Sequence, residues 1–132
     1  VIDQSQEVAT FATCMNCVEG RVQLPIIHWI KQNYKVDFVD MITDVGIVNK
    51  IANKDIDMSL LLPSMDVSVD VNLSSRIFLV AHHNCQGNPV DDETQKRELH
   101  AAVDCVKELF PSCQVYGLWV DNNEEIRKII EK

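Results

Sequence analysis

Only 4 Gly, 4 Pro and 6% aromatic residues occur in the 132-residue sequence, which excludes collagen-like and low-complexity chains. No apolar stretch approaches the roughly 20 residues that a bilayer-spanning helix needs. The start, Val1-Ile2-Asp3-Gln4-Ser5, has neither the basic nor the apolar part of a signal peptide, so a cytoplasmic protein is expected. Clusters of Lys or Arg are lacking and the formal net charge is -8, so a phosphate backbone would meet an unfavourable field and nucleic acid is not an expected partner. Repeats, linkers and low-complexity segments are also missing. What remains, 46% hydrophobic and 24% charged residues at a length suited to one core, reads as a single domain over 1–132.

Cysteine is not scarce. Five in a chain large enough to fold without staples is an odd count and argues against a secreted disulfide framework, so each has to be read by position.

Short apolar runs alternate with amphipathic ones. Strands are expected over Glu7–Thr13, Phe38–Thr43, Arg76–Ala81 and Gln114–Val120, the third being the most continuous apolar run. A helix is expected over Val22–Tyr34, with Pro25 near its start; its apolar residues (Ile26, Ile27, Trp29, Ile30, Tyr34) cover more than one face and suggest a second packing partner. The helix after Asp91 or Asp92 carries Leu99, Ala102, Val103, Val106, Leu109 and Phe110 on one stripe. A last helix, capped by Asn122 or Asn123, is expected to bury Ile126, Ile129 and Ile130. Between Asn49 and Ser75 the period of two in Val67, Val69, Val71 and Leu73 favours a strand, but a parallel sheet needs a crossover there, so a helix is expected. The alternation as a whole predicts an α/β fold: a doubly wound, mostly parallel sheet of about four strands with helices on both faces.

Soft ligands stand just past two of the strands: Cys17 after the first, His82 and Cys85 after the third. In open α/β sheets, ligands bind beyond the carboxyl ends of strands where crossovers diverge, so neighbouring first and third strands would bring the three together. Two thiolates and one imidazole suit Zn2+ and leave one tetrahedral position open, which is the catalytic type of zinc site. His83 points away from His82 if strand geometry persists, so His82 is the expected ligand. Cys14, Cys105, Cys113, His28 and His100 read as structural or bland.

Cys17-Val18-Glu19-Gly20-Arg21 resembles the Cys-x-Asp-x-Arg motif of β-class carbonic anhydrases, and His82-His83-Asn84-Cys85 resembles their His-x-x-Cys motif. Gly20–Pro25, Gly87–Asp91 and Gly117–Asp121 also read like small members of that family, so the resemblance runs from Cys14 to about Asn122. It implies strand order 2-1-3-4, a homodimer or higher homo-oligomer, and zinc on Cys17, His82 and Cys85. It also implies reversible hydration of carbon dioxide to bicarbonate by a zinc-bound hydroxide, with Glu19 and Arg21 as the catalytic pair. The backbone around Gly46 and Gly87 would shape a small pocket.

The sequence departs from the family pattern in two places. Glu19 stands where the motif has Asp, one methylene shorter, and Thr43-Asp44-Val45-Gly46 replaces the usual Arg-Asn-Ala-Gly. Three other readings follow: a non-catalytic or regulatory zinc dimer closed by Glu19 or Cys14, a hydrolase of carbonyl sulfide or carbon disulfide, and a redox protein using Cys14 and Cys17.

Overall fold

The computed structural model describes residues 8–132 and contains one five-stranded sheet in the order β2-β1-β3-β4-β5. Strands β1 (Phe11–Asn16), β2 (Phe38–Thr43), β3 (Arg76–His82) and β4 (Gln114–Val120) run parallel, and β5 (Ile126–Glu131) is antiparallel to β4. The fold class is therefore the expected α/β one, with an additional edge strand. The first strand starts at Phe11 rather than Glu7; Glu7 itself lies outside the described residues.

Period-two alternation sorts the strand residues onto two faces. On one side Ala12, Cys14, Phe78, Val80, Tyr116 and Leu118 pack against Val22, Ile26 and Ile30 of helix α1 (Gly20–Tyr34). On the other, Met15, Ile77, Leu79, Val115 and Trp119 pack against Ile47, Val48 and Ile51 of α2 (Ile47–Ala52) and Leu99, Val103 and Val106 of α4 (Asp92–Leu109). Helices thus cover both faces, which is why the central strands can be largely apolar.

Helix α1 begins at Gly20, two residues earlier than expected, because the Glu19 side chain caps it by accepting from the Arg21 N–H. Pro25 consequently sits inside the helix rather than at its first turn. Ile27 and Trp29 are half-buried and Leu24 is exposed, so the apolar character around this helix is only partly used by the sheet. Asp91 caps α4 through Thr94 N–H, as its position before the apolar stripe requires.

The segment between β2 and β3 is helical but broken: α2, a 3-10 turn at Met58–Leu60, and α3 (Leu62–Asp66) running into a π turn at Val67–Val71. Pro63 lies in the first turn of α3, where its missing N–H is harmless. The alternating valines form no strand. Ser68 is buried among hydroxyls instead, its Oγ 2.5 Å from that of Thr13, which also donates to Ser74 at 2.8 Å.

The expected last helix is wrong: Ile126–Glu131 is β5. Asp121 organises a tight reversal rather than the preceding asparagines forming a helix cap; its Oδ1 accepts from the N–H groups of Asn123 and Glu125, and Glu124 takes a positive φ of 62°. Ile126 and Ile130 then pair with Val120 and Gly117 on the available sheet edge, and Ile130 packs onto Gly117, where any Cβ would lie 2.7 Å from its Cδ1.

Candidate metal centre

Strands β1 and β3 are direct neighbours, with Thr13 opposite Ile77 and Met15 opposite Leu79. Cys17, one residue past β1, therefore meets His82, the last residue of β3, and Cys85 in the loop beyond it. Their ligating atoms all lie within 4.8 Å of one another and all three residues are buried. Among the described residues, this is the group of His, Cys, Asp or Glu side chains that converges in this way.

Three features fit a soft tetrahedral cation. The Cys17 and Cys85 sulfurs are 3.8 Å apart, and two sulfurs each about 2.3 Å from one zinc at the tetrahedral angle would stand about 3.8 Å apart. His82 Nδ1 lies 3.0 Å from the His83 carbonyl oxygen; a carbonyl can only accept, so Nδ1 carries the proton and Nε2 the lone pair. That Nε2 is buried without a hydrogen-bond partner, the condition of a ligand rather than of a satisfied core histidine.

The electrostatics agree. Burial holds His82 below the usual histidine value, favouring the neutral imidazole. Burial, then the adjacent Cys17, pushes the Cys85 thiol up, while the backbone N–H groups of Gly87 and Asn88 pull the other way. A dication is the charge that would draw the Cys85 thiol back toward the thiolate.

Neighbouring side chains fix the ligand-bearing backbone. Gln23 donates Nε2 to the carbonyls of Cys17 at 2.8 Å and Glu19 at 2.9 Å, and accepts from Asn16 Nδ2 at 3.1 Å. Gln95, on α4, donates to the His82 carbonyl at 2.8 Å. Sequence reading missed both, because nothing in the spacing of a glutamine marks which carbonyl it will reach.

Glu19 does not join the converging side chains. Its Oε1 accepts from Arg21 Nε at 2.8 Å and from Arg21 N–H at 3.2 Å, and this pairing holds its carboxyl below the usual carboxylate range. Both residues line an open pocket of about 250 Å3 together with His82, His83, Asn84 and the Asp121–Glu124 turn. On the α2 side of the sheet, Cys17, His82 and Cys85 face a crevice of only about 10 Å3 walled by Gly46, Ile47, Val48 and Ala81, room for one water at most. Gly46 and Gly87 pack backbone to backbone beside it.

The remaining candidates lie elsewhere. His83 is exposed and bound to the Asp92 carboxylate at 2.9 Å. Cys14 is wholly buried in the α1-side core, which pushes its thiol far above the usual range, whereas Cys17 faces α2; nothing draws these two together as a redox pair. Cys105 is half-buried on α4, and Cys113 is buried with its sulfur 3.8 Å from the Ser74 carbonyl. His28 and His100 are exposed.

Residues 7–130 match the model of a protein family described as "Putative carbonic anhydrase". Among curated protein sequences, none matches the chain. Among solved structures the chain is similar to one of two tetrameric beta-carbonic anhydrases from the filamentous ascomycete Sordaria macrospora, with a TM-score of 0.63 and 10% identity, covering 97% of this chain and 84% of that one. At that identity the likeness establishes a common fold.

Proposed function

Because this chain belongs to the carbonic anhydrase family whose model it matches, we propose that it binds zinc through Cys17, His82 and Cys85 and catalyses the reversible hydration of carbon dioxide to bicarbonate. The observation that carries the reading is the buried, partnerless Nε2 of His82, on a ring that converges with two sulfurs 3.8 Å apart. Zinc, when bound, supplies a Lewis acid that lowers the pKa of water from about 15.7 to about 7, so that a nucleophile exists at neutral pH.

The chain's own residues do the rest. His83 O and Gln95 orient the His82 ring and backbone, and Gln23 holds the Cys17 carbonyl. Arg21 occupies Glu19 Oε1 twice and keeps the carboxylate ionised, leaving Oε2 to accept a hydrogen bond from the attacking water. The proton that water gives up to become the nucleophile would leave to solvent through the open pocket beside Glu19, before the new C–O bond forms. The narrow crevice by Ile47 and Val48 excludes bulk water, and the open pocket beside Glu19 and His82 has the room for a small linear substrate.

The pairing of Glu19 with Arg21 favours this open site over a closed, non-catalytic one. We further propose that the chain acts as one cytoplasmic domain in a homo-oligomer; the half-buried Ile27 and Trp29 and exposed Leu24 on α1 support a second copy. No helix among the described residues is long and apolar enough to cross a membrane.

The test is zinc content of protein purified without added metal, with carbon dioxide hydration followed by stopped flow from about pH 6 to about pH 9, a range spanning the pKa of zinc-activated water. One zinc per chain with hydration, both lost in Cys17→Ser, is expected. Stoichiometric zinc without hydration would refute the activity, and no zinc under reducing conditions would refute the metal centre.

A further inference from the structure

Two polar side chains one turn apart on α4 reach the backbone that carries His82 and Cys85. Gln95 takes the His82 carbonyl, as described above. Glu98 gathers three side-chain amides: its Oε1 accepts from Asn88 at 2.9 Å, and its Oε2 accepts from Asn53 at 2.8 Å and from Asn49. Three donors thus converge on one side chain, and hydrogen bonds to a carboxylate are roughly twice as strong as neutral ones.

The three amides are not equivalent. Asn49 and Asn53 belong to α2 and its C-terminal cap, whereas Asn88, 6% exposed, lies in the loop three residues after Cys85. The Asn88 backbone N–H donates to the Cys85 carbonyl at 3.2 Å, so the conformation of Asn88 and that of Cys85 are fixed together. On its other side the same loop rests on backbone: a Cβ on Gly87 would lie 2.9 Å from Gly46 N. The loop thus has a contact surface at Gly46 and a polar anchor at Glu98.

We propose that Glu98 is a positioning residue that, through Asn88, holds the Cys85 loop at ligating distance and thereby sets how long the metal centre retains its ion. Glu98 touches neither a ligand nor the reacting atoms; it acts through the loop, and it ties that loop to α2 by the same carboxylate. The inference rests on the zinc reading given above.

The test follows zinc release from the loaded protein to a chromogenic chelator. Asn88→Asp sets two carboxylates against each other and is expected to raise the release rate about 10- to 100-fold, the scale of lost outer-shell partners. Adding Glu98→Gln to it restores a donor opposite an acceptor, with Oε1 still open to Asn49 and Asn53, and is expected to return the rate toward that of the unaltered protein. A loss of general packing would show as a lower urea midpoint of the metal-free protein and would not be reversed by the second change. Asn88→Ala, which removes the donor without adding charge, is expected to speed release as well, and serves if Asn88→Asp does not fold. Release unchanged in the Asn88 variants, or a rise that Glu98→Gln fails to reverse, overturns the proposal while leaving zinc binding intact. An unaltered protein that holds no zinc overturns both.

Discussion

Replacing Gly46 by Ala tests how tightly the two ligand-side loops are locked. Gly46 sits at φ 57°, in the left-handed region, where an L side chain costs about 1–2 kcal/mol. The added Cβ would also stand 2.7 Å from the Gly87 carbonyl oxygen and 3.1 Å from its carbonyl carbon, both backbone atoms that cannot rotate away. Forcing extra atoms into such a contact typically costs about 1–3 kcal/mol, so the expected loss is roughly 2–5 kcal/mol. Against a usual total of about 5–15 kcal/mol, that is a large fraction.

Gly87→Ala provides the comparison. It has no left-handed φ, and its Cβ would meet the Val45 Cγ1 at 2.3 Å and Gly46 N at 2.9 Å. The half-exposed Val45 side chain can turn aside but the amide cannot, so about 1–3 kcal/mol is expected, without the conformational penalty. Both changes displace the Cys85 loop and should weaken zinc binding. Urea unfolding of the metal-free variants gives the stabilities, and chelator competition gives the affinities. A Gly46→Ala protein destabilised by less than about 0.5 kcal/mol, the range of neutral surface changes, would refute the reasoning.

Two further outcomes are expected. Because burial holds His82 below the unfolded-chain value of about 6.5, the unfolded state takes up the proton first on acidification; this contribution is complete above about pH 6.5 and is lost as pH falls toward the folded value. Urea midpoints of the metal-free protein should therefore fall more steeply below that pH than those of His82→Gln, and equal slopes would show that His82 is not held neutral. Ile130→Ala should destabilise by about 2–4 kcal/mol because Ile130 is buried against Gly117, while Arg127→Ala, exposed on the same strand, should change stability by less than about 0.5 kcal/mol; equal effects would argue against the β5 pairing.

The cluster of Cys17, His82 and Cys85 was legible in the sequence because its signal is local: each member follows an apolar run, and a strand end fixes where the next side chains point. Whether the members meet depended on β1 lying beside β3, a pairing made by residues far apart in the chain. The main strands and α4 were legible for the same local reason, since burial on one or both faces imposes a period. Val67–Val71 reads as helical only through the crossover that a parallel sheet requires, and Ile126–Glu131 reads as a helix although it is a strand. The first has a strand's alternation, but its Ser68 is taken up by the buried hydroxyls of Thr13 and Ser74. The second has isoleucines that suit either a helix or a strand, and the exposed edge of β4 decided between them once Asp121 had turned the chain. The orientation of Glu19 was likewise open in sequence, where its extra methylene allowed it to reach either a metal or Arg21. The local helix start decided it, because capping α1 places Oε1 on the Arg21 N–H and leaves the guanidinium within reach of the same oxygen. The sequence alone determined which side chains are chemically able to hold a soft cation; the folded sheet determined that three of them share one buried point, because only strand order sets distances between residues separated by 68 positions.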